Sequence, residues 1–234
     1  MLRKKALLGT ITAVVMLLAA TAAIAANMTG TDGPDTINGT ATADDIKGLG
    51  GDDTINALGG NDRVDGGSDD DTINGDGACP NGSSTTGPYA CIPGTAGNDR
   101  LFGGSGQDTI NGNSGRDRVS GQGGDDRLRG NNGNDRITGG SGTDVLSGGD
   151  GKDFLTGGDG DDKLRGQAGS DKLTGGSGRD LIEGGSGRDN ILARDGTRDR
   201  INCGPGRDKV SADRSDKIAR NCERVRRGGR RTNN

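Results

Sequence analysis

Gly175-Gly176-Ser177-Gly178-Arg179-Asp180-Leu181-Ile182-Glu183 is one turn of a pattern that fills most of the chain. An Asp recurs every nine residues, at Asp35, Asp44, Asp53, Asp62 and Asp71. After an interruption it recurs at Asp99, Asp108, Asp117, Asp126, Asp135, Asp144, Asp153, Asp162, Asp171, Asp180 and Asp189. Two residues after each of these sixteen aspartates stands Ile, Val or Leu. Two residues before, Gly stands in fourteen, with Thr42 and Asp69 as the exceptions.

Each unit reads as a Gly-rich turn followed by a short strand. Glycines at the first, second and fourth positions open dihedrals closed to other residues, so six residues can turn tightly with carbonyls directed inward. The last three form a minimal strand whose central aliphatic side chain alone faces the interior, because successive residues alternate sides. Helix is excluded by Gly at this density. One apolar residue in nine builds a continuous core only when repeats stack, so the pattern predicts an all-β solenoid.

Composition agrees. Of 234 residues 49 are Gly, hydrophobic residues make up 27%, and the chain has no Trp, no His, one Tyr and two Phe. A large close-packed core is out of reach, and with no His no nucleophile and base pair stands out, which argues against an enzyme. The core is thin against the entropy of fixing a Gly-rich backbone, and stacked carboxylates repel. A hard divalent cation with oxygen ligands removes that repulsion. Ca²⁺ suits carboxylates and carbonyls, whereas Zn²⁺ and Cu²⁺ prefer the His or free thiolate that are missing here. An isolated Gly-x-Asp would read as an Asx turn alone; sixteen in register point to calcium, with the sixteen aspartates as ligands.

The motif G-G-x-G-x-D-x-U-x resembles the RTX, or haemolysin-type, calcium-binding nonapeptide family. That resemblance implies a right-handed parallel β-roll with two repeats per coil, each ion lying between turns of successive coils. By that geometry the eleven uninterrupted repeats hold about nine ions and the leading five about three. The second repeat, starting at Gly39, lacks its fourth-position Gly, and the fourth repeat starts at Ala57; weaker sites are expected beside them.

Outward from the repeats, residues 1–26 carry Arg3, Lys4 and Lys5, an apolar run broken by Thr10 and Thr12, and a small-residue end, the layout of a cleaved signal peptide. No further apolar span follows, so the mature chain is expected to be secreted, extracellular and without a transmembrane segment. Residues 27–74 form a first repeat block and 94–192 a second. Between them, 75–93 is an insertion in which Cys79 and Cys91 flank Pro80, Pro88 and Tyr89; an oxidising compartment makes a local disulfide the expected reading. Residues 193–223 are degenerate repeats in which Asp-x-aliphatic persists at Asp199, Asp208 and Asp216. Cys203 and Cys222 stand there about one coil apart, a spacing that suits a disulfide capping the last coils. Residues 224–234 are a basic tail.

The sequence therefore predicts a secreted calcium-binding structural or interaction module. The alternative is a calcium-dependent, adhesin-like binder of a cell-surface glycan or protein. Nucleic acid is disfavoured by export and by the lack of an aromatic platform. Ice binding is disfavoured because the third and fifth turn positions carry no ordered Thr or Asn array.

Overall fold

The computed structural model describes residues 25–76 and 97–228. The expected signal peptide, the Cys79–Cys91 pairing and the end of the basic tail lie outside these residues, residues 25 and 26 of the leader and 224–228 of the tail excepted. All regular structure among them is strand. The strands form two sheets, of eleven and ten members, in which every neighbour is parallel and lies two strands away in the chain. Each coil thus gives one strand to each sheet, and the fold is a parallel β-roll.

Register follows the nine-residue period. Ile137 pairs with Leu155 and Leu155 with Leu173 in the eleven-stranded sheet, while Leu128, Leu146 and Leu164 align in the ten-stranded one. These side chains are buried and form one continuous double file between the sheets. A shift by one residue would turn every aliphatic outward, so the alternation itself fixes the pairing. The insertion leaves the register intact: Arg63 pairs directly with Arg100, and Val64 with Leu101.

The strands are longer than the three residues expected. Arg136–Ser141, of sequence Arg-Ile-Thr-Gly-Gly-Ser, buries both Ile137 and Gly139. Strand structure thus runs into the first three residues of the next repeat, and two positions per repeat face inward rather than one. The first-position Gly owes its identity to space, not to dihedral freedom. Gly139 is absent from the left-handed residues, yet a Cβ on it would overlap both the Asp144 carboxylate and the Gly157 carbonyl oxygen. Only the second and fourth positions need the left-handed region, as in Gly140 (φ 132) and Gly142 (φ 129). Six non-Gly residues accept it at the second position, among them Leu49 and Gln122, and Asp69 does so at the fourth with φ 78.

Side-chain ladders reinforce the stack. The amides of Asn56, Asn74 and Asn111 each donate to the Asn one coil earlier, starting at Asn38, over 3.0, 3.0 and 3.2 Å. At the C-terminal end Cys203 and Cys222 form a disulfide with Cα atoms 5.2 Å apart. Cys203 occupies the inward position where Ala193 and Ala212 stand in neighbouring coils, so a double Cys203→Ala, Cys222→Ala change fits sterically. It should cost about 2–4 kcal/mol and lower amide-exchange protection around Val210–Ile218 while Ile137–Leu173 stay protected. Equal loosening along the whole roll would contradict this assignment of the cap.

Candidate metal centre

The sixteen predicted aspartates fall into two columns, one along each edge of the roll. Asp35, Asp53, Asp71, Asp108, Asp126, Asp144, Asp162 and Asp180 each stand at the entry to a strand of the ten-stranded sheet. Asp44, Asp62, Asp99, Asp117, Asp135, Asp153, Asp171 and Asp189 do so for the eleven-stranded sheet. All are buried. Their position is set by a repeated hydrogen bond: the N–H of Asp126 donates to Asp144 Oδ1 at 2.8 Å, and that of Asp135 to Asp153 Oδ1 at 2.9 Å. Each carboxylate therefore completes the backbone of the coil before it, at the point where the chain enters the sheet.

That bond uses one oxygen. In fourteen of the sixteen, Oδ2 is buried with no hydrogen-bond partner. An ionised carboxylate in this state is costly unless something compensates it, and the proton affinity reflects this. Burial, partly opposed by the N–H bond and reinforced by neighbouring carboxylates, pushes Asp62 and Asp117 up to about 8. The same burial raises Asp71, Asp99 and Asp153 to about 7, and Asp126, Asp144 and Asp162 to about 6. Among the described residues no Lys or Arg forms an ion pair with either column.

These residues fit a hard cation. The orphaned oxygen of Asp144 and the Gly157 carbonyl converge beside Gly139, and the same trio recurs at Gly130 with Asp135 and the Gly148 carbonyl. Among the described residues no group of three or more carboxylate, thiol or imidazole side chains gathers at one point. A cation here would therefore draw most of its ligands from backbone carbonyls, a donor set that matches Ca²⁺ and not Zn²⁺.

The ends differ from the middle. In the first coil the threonines at the second position take up carboxylate oxygens: Thr31 donates its N–H and its hydroxyl to Asp35 Oδ2 at 2.6 and 2.9 Å, which leaves Oδ1 buried and without a partner. Asp44 is fully satisfied, by the N–H groups of Ala26 and Thr40 and by the Thr40 hydroxyl. At the other end the columns outrun the sixteen. Asp199 and Asp208 are buried, accept the N–H groups of Asp180 and Asp189, and leave Oδ2 unpartnered. The strict nine-residue count missed them because the spacing there drifts; Asp-x-aliphatic was the surviving signal. Asp216 closes its column by accepting from Asp199 and Asp213, and Glu223 closes the other by accepting from Asp208 at 2.8 Å. Asp76, at the root of the insertion, accepts from Gly97 and Ser114, and nothing in its spacing announced that role.

No curated protein matches the chain. The family model for the RTX calcium-binding nonapeptide repeat matches residues 29–64, 48–78, 93–128, 120–155 and 156–191, well over half of the sequence. With the nine-residue Gly/Asp period, the two parallel sheets and the buried carboxylate columns in place, the chain belongs to the RTX calcium-binding nonapeptide repeat family.

Proposed function

We propose that this chain is an exported calcium-binding β-roll, without enzymatic activity, whose folding outside the cell is coupled to Ca²⁺. The observation that carries the reading is the file of buried, unpartnered Oδ2 atoms from Asp53 to Asp208. Bound calcium supplies positive charge at these oxygens. The chain's own residues do the rest: Oδ1 holds the preceding coil, Oδ2 and the Gly carbonyls present oxygen, and first-position glycines leave the space. The ligand set comprises the sixteen aspartates of the regular repeats, weighted toward 94–192, because Thr31 takes one oxygen of Asp35 and Ala26 with Thr40 closes both oxygens of Asp44. The leader at 1–26, its apolar run and small-residue end support export. Among the described residues no helix is long and apolar enough to cross a membrane.

Calorimetry with Ca²⁺ on the mature chain tests this, and isosteric Asp→Asn changes sharpen it. Asp144→Asn or Asp153→Asn should weaken calcium binding and its cooperativity, yet increase the sheet content retained in chelator, because each removes a buried uncompensated charge while keeping an oxygen for the preceding N–H. Asp44→Asn should change calcium binding little. Equal losses at the three positions, or a mid-array Asn that destabilises the chelated protein, would count against the carboxylate columns as the calcium site.

The second reading, a calcium-dependent surface binder, is favoured by the chemistry of one outer face.

A further inference from the structure

The two edges of the roll differ in charge along the regular repeats. Immediately before the aspartates that lead into the ten-stranded sheet stand Asp52, Asp70, Asp125 and Asp161, all exposed, with Arg179 and Arg198 joining them only toward the C-terminal end. The equivalent places on the other edge hold Arg116, Lys152, Arg188 and Arg207, also exposed. The adjoining outer face of the eleven-stranded sheet continues the positive charge. Arg63, Arg100, Arg118 and Arg136 occupy one file on successive strands and point to solvent, and Lys172 follows two strands later. Apart from Arg63 with Asp45, none of these cations forms an ion pair, although every Asp and Glu of the chain lies within the described residues.

Both phenylalanines of the protein are on this same face. Phe154 interrupts the cation file between Arg136 and Lys172 and is 38% exposed. Phe102 lies in the neighbouring file beside Arg63, whose guanidinium sits 5.4 Å from its ring; Arg136 stands 5.5 Å from the ring of Phe154. In a chain this poor in apolar residues, placing the only two Phe outside the core needs a reason. A shallow depression of about 310 Å³ lies between Arg116, Arg118, Asn134, Arg136, Lys152 and Phe154, with the buried Asp117 of the carboxylate column at its wall.

We propose that this face binds a linear acidic polysaccharide, a polyuronate laid along the roll axis. Cation rungs repeat with the strand spacing of ~4.8 Å, close to the advance of one sugar in an extended chain, so successive carboxylates meet successive guanidinium forks. The Phe rings, three strands or ~14 Å apart, give apolar surfaces for the pyranose faces. A nucleic acid would want bases stacked on consecutive aromatic rings, and these two are not consecutive. An anionic membrane would favour a continuous apolar patch, whereas the large exposed apolar residues, Leu49, Phe154 and Val225, are scattered. This deepens the surface-binding reading and rests on the roll being folded with calcium.

The test uses the calcium-loaded mature chain and short polygalacturonate oligomers, followed by fluorescence anisotropy. Neutral galactan oligomers, oligo-dT and phosphatidylserine vesicles run in parallel. Binding is expected for polygalacturonate alone, falling with added salt. Arg118→Ser with Arg136→Ser should weaken it about tenfold, as two exposed ion pairs warrant, and Phe154→Ala should weaken it severalfold even at high salt. Arg127→Ser with Arg129→Ser, on the opposite sheet, should leave it unchanged. Circular dichroism and calcium calorimetry on each variant separate loss of the roll from loss of the face. A folded, calcium-loaded protein that ignores polygalacturonate, binds the galactan equally, prefers oligo-dT or vesicles, or binds undiminished after the Arg118 and Arg136 changes would overturn the proposal. So would self-association through the acidic edge that blocks this face.

Discussion

In chelator at mildly alkaline pH the mature protein is expected to lose its parallel-sheet circular dichroism, and to regain it cooperatively as Ca²⁺ is restored. The aliphatic double file is a single residue wide on each sheet, and the buried carboxylates flanking it oppose folding when ionised. Metal binding to the native state alone adds its free energy to folding. Because each coil is held by its neighbours, the gain should be steep in calcium rather than spread over independent sites. The effect is expected to span the whole transition from unfolded to folded. Identical spectra and melting curves with and without chelator would show that the aspartates act as turn formers alone.

A second large effect is expected from pH, again in chelator. Burial raises the column aspartates from Asp53 to Asp208 above the ordinary carboxylate value of 3.8, to about 8 for Asp62 and Asp117 and to about 6 or 7 for the others with a defined value. A carboxyl whose native value is raised binds its proton more tightly when folded, so its favourable contribution is complete below the unfolded value and is lost as pH climbs through the native one. The metal-free chain should therefore hold parallel-sheet structure near pH ~4 that it lacks near pH ~8, with the loss concentrated between those limits. In calcium the dependence should reverse: protons compete for the same oxygens, so calcium affinity should fall on acidification. Thermal melts across this range in chelator and in calcium provide the check. A chelated protein that grows more stable toward alkaline pH would refute the picture of uncompensated buried carboxylates.

The period in the sequence determined most of this architecture because it is a stacking rule. With a side-chain alternation of two and an aliphatic at every ninth residue, only coils in register bury Ile137 on Leu155 and Leu155 on Leu173. The identity of the carboxylate columns followed as well, since Asp stands at a constant distance from each inward aliphatic. The disulfide between Cys203 and Cys222 was legible from a separation of about one coil.

Tertiary structure decided what periodicity cannot encode. It showed that Gly139 is Gly for the room beside Asp144 rather than for its dihedral, a distinction invisible in a letter that serves both needs. It split the two oxygens of the mid-array aspartates, one holding the previous coil and one left for a cation, and it closed Asp44 with Ala26 of the coil before and the Thr40 N–H and hydroxyl of its own turn. Asp199, Asp208 and Glu223 left the nine-residue count, because a one-residue insertion before Asp199 and a shortened last coil before Glu223 change the spacing without moving the strand entry. The cation file has the same origin. Arg100, Arg118 and Arg136 are eighteen residues apart in sequence, and only the coil sets Arg118 between the other two.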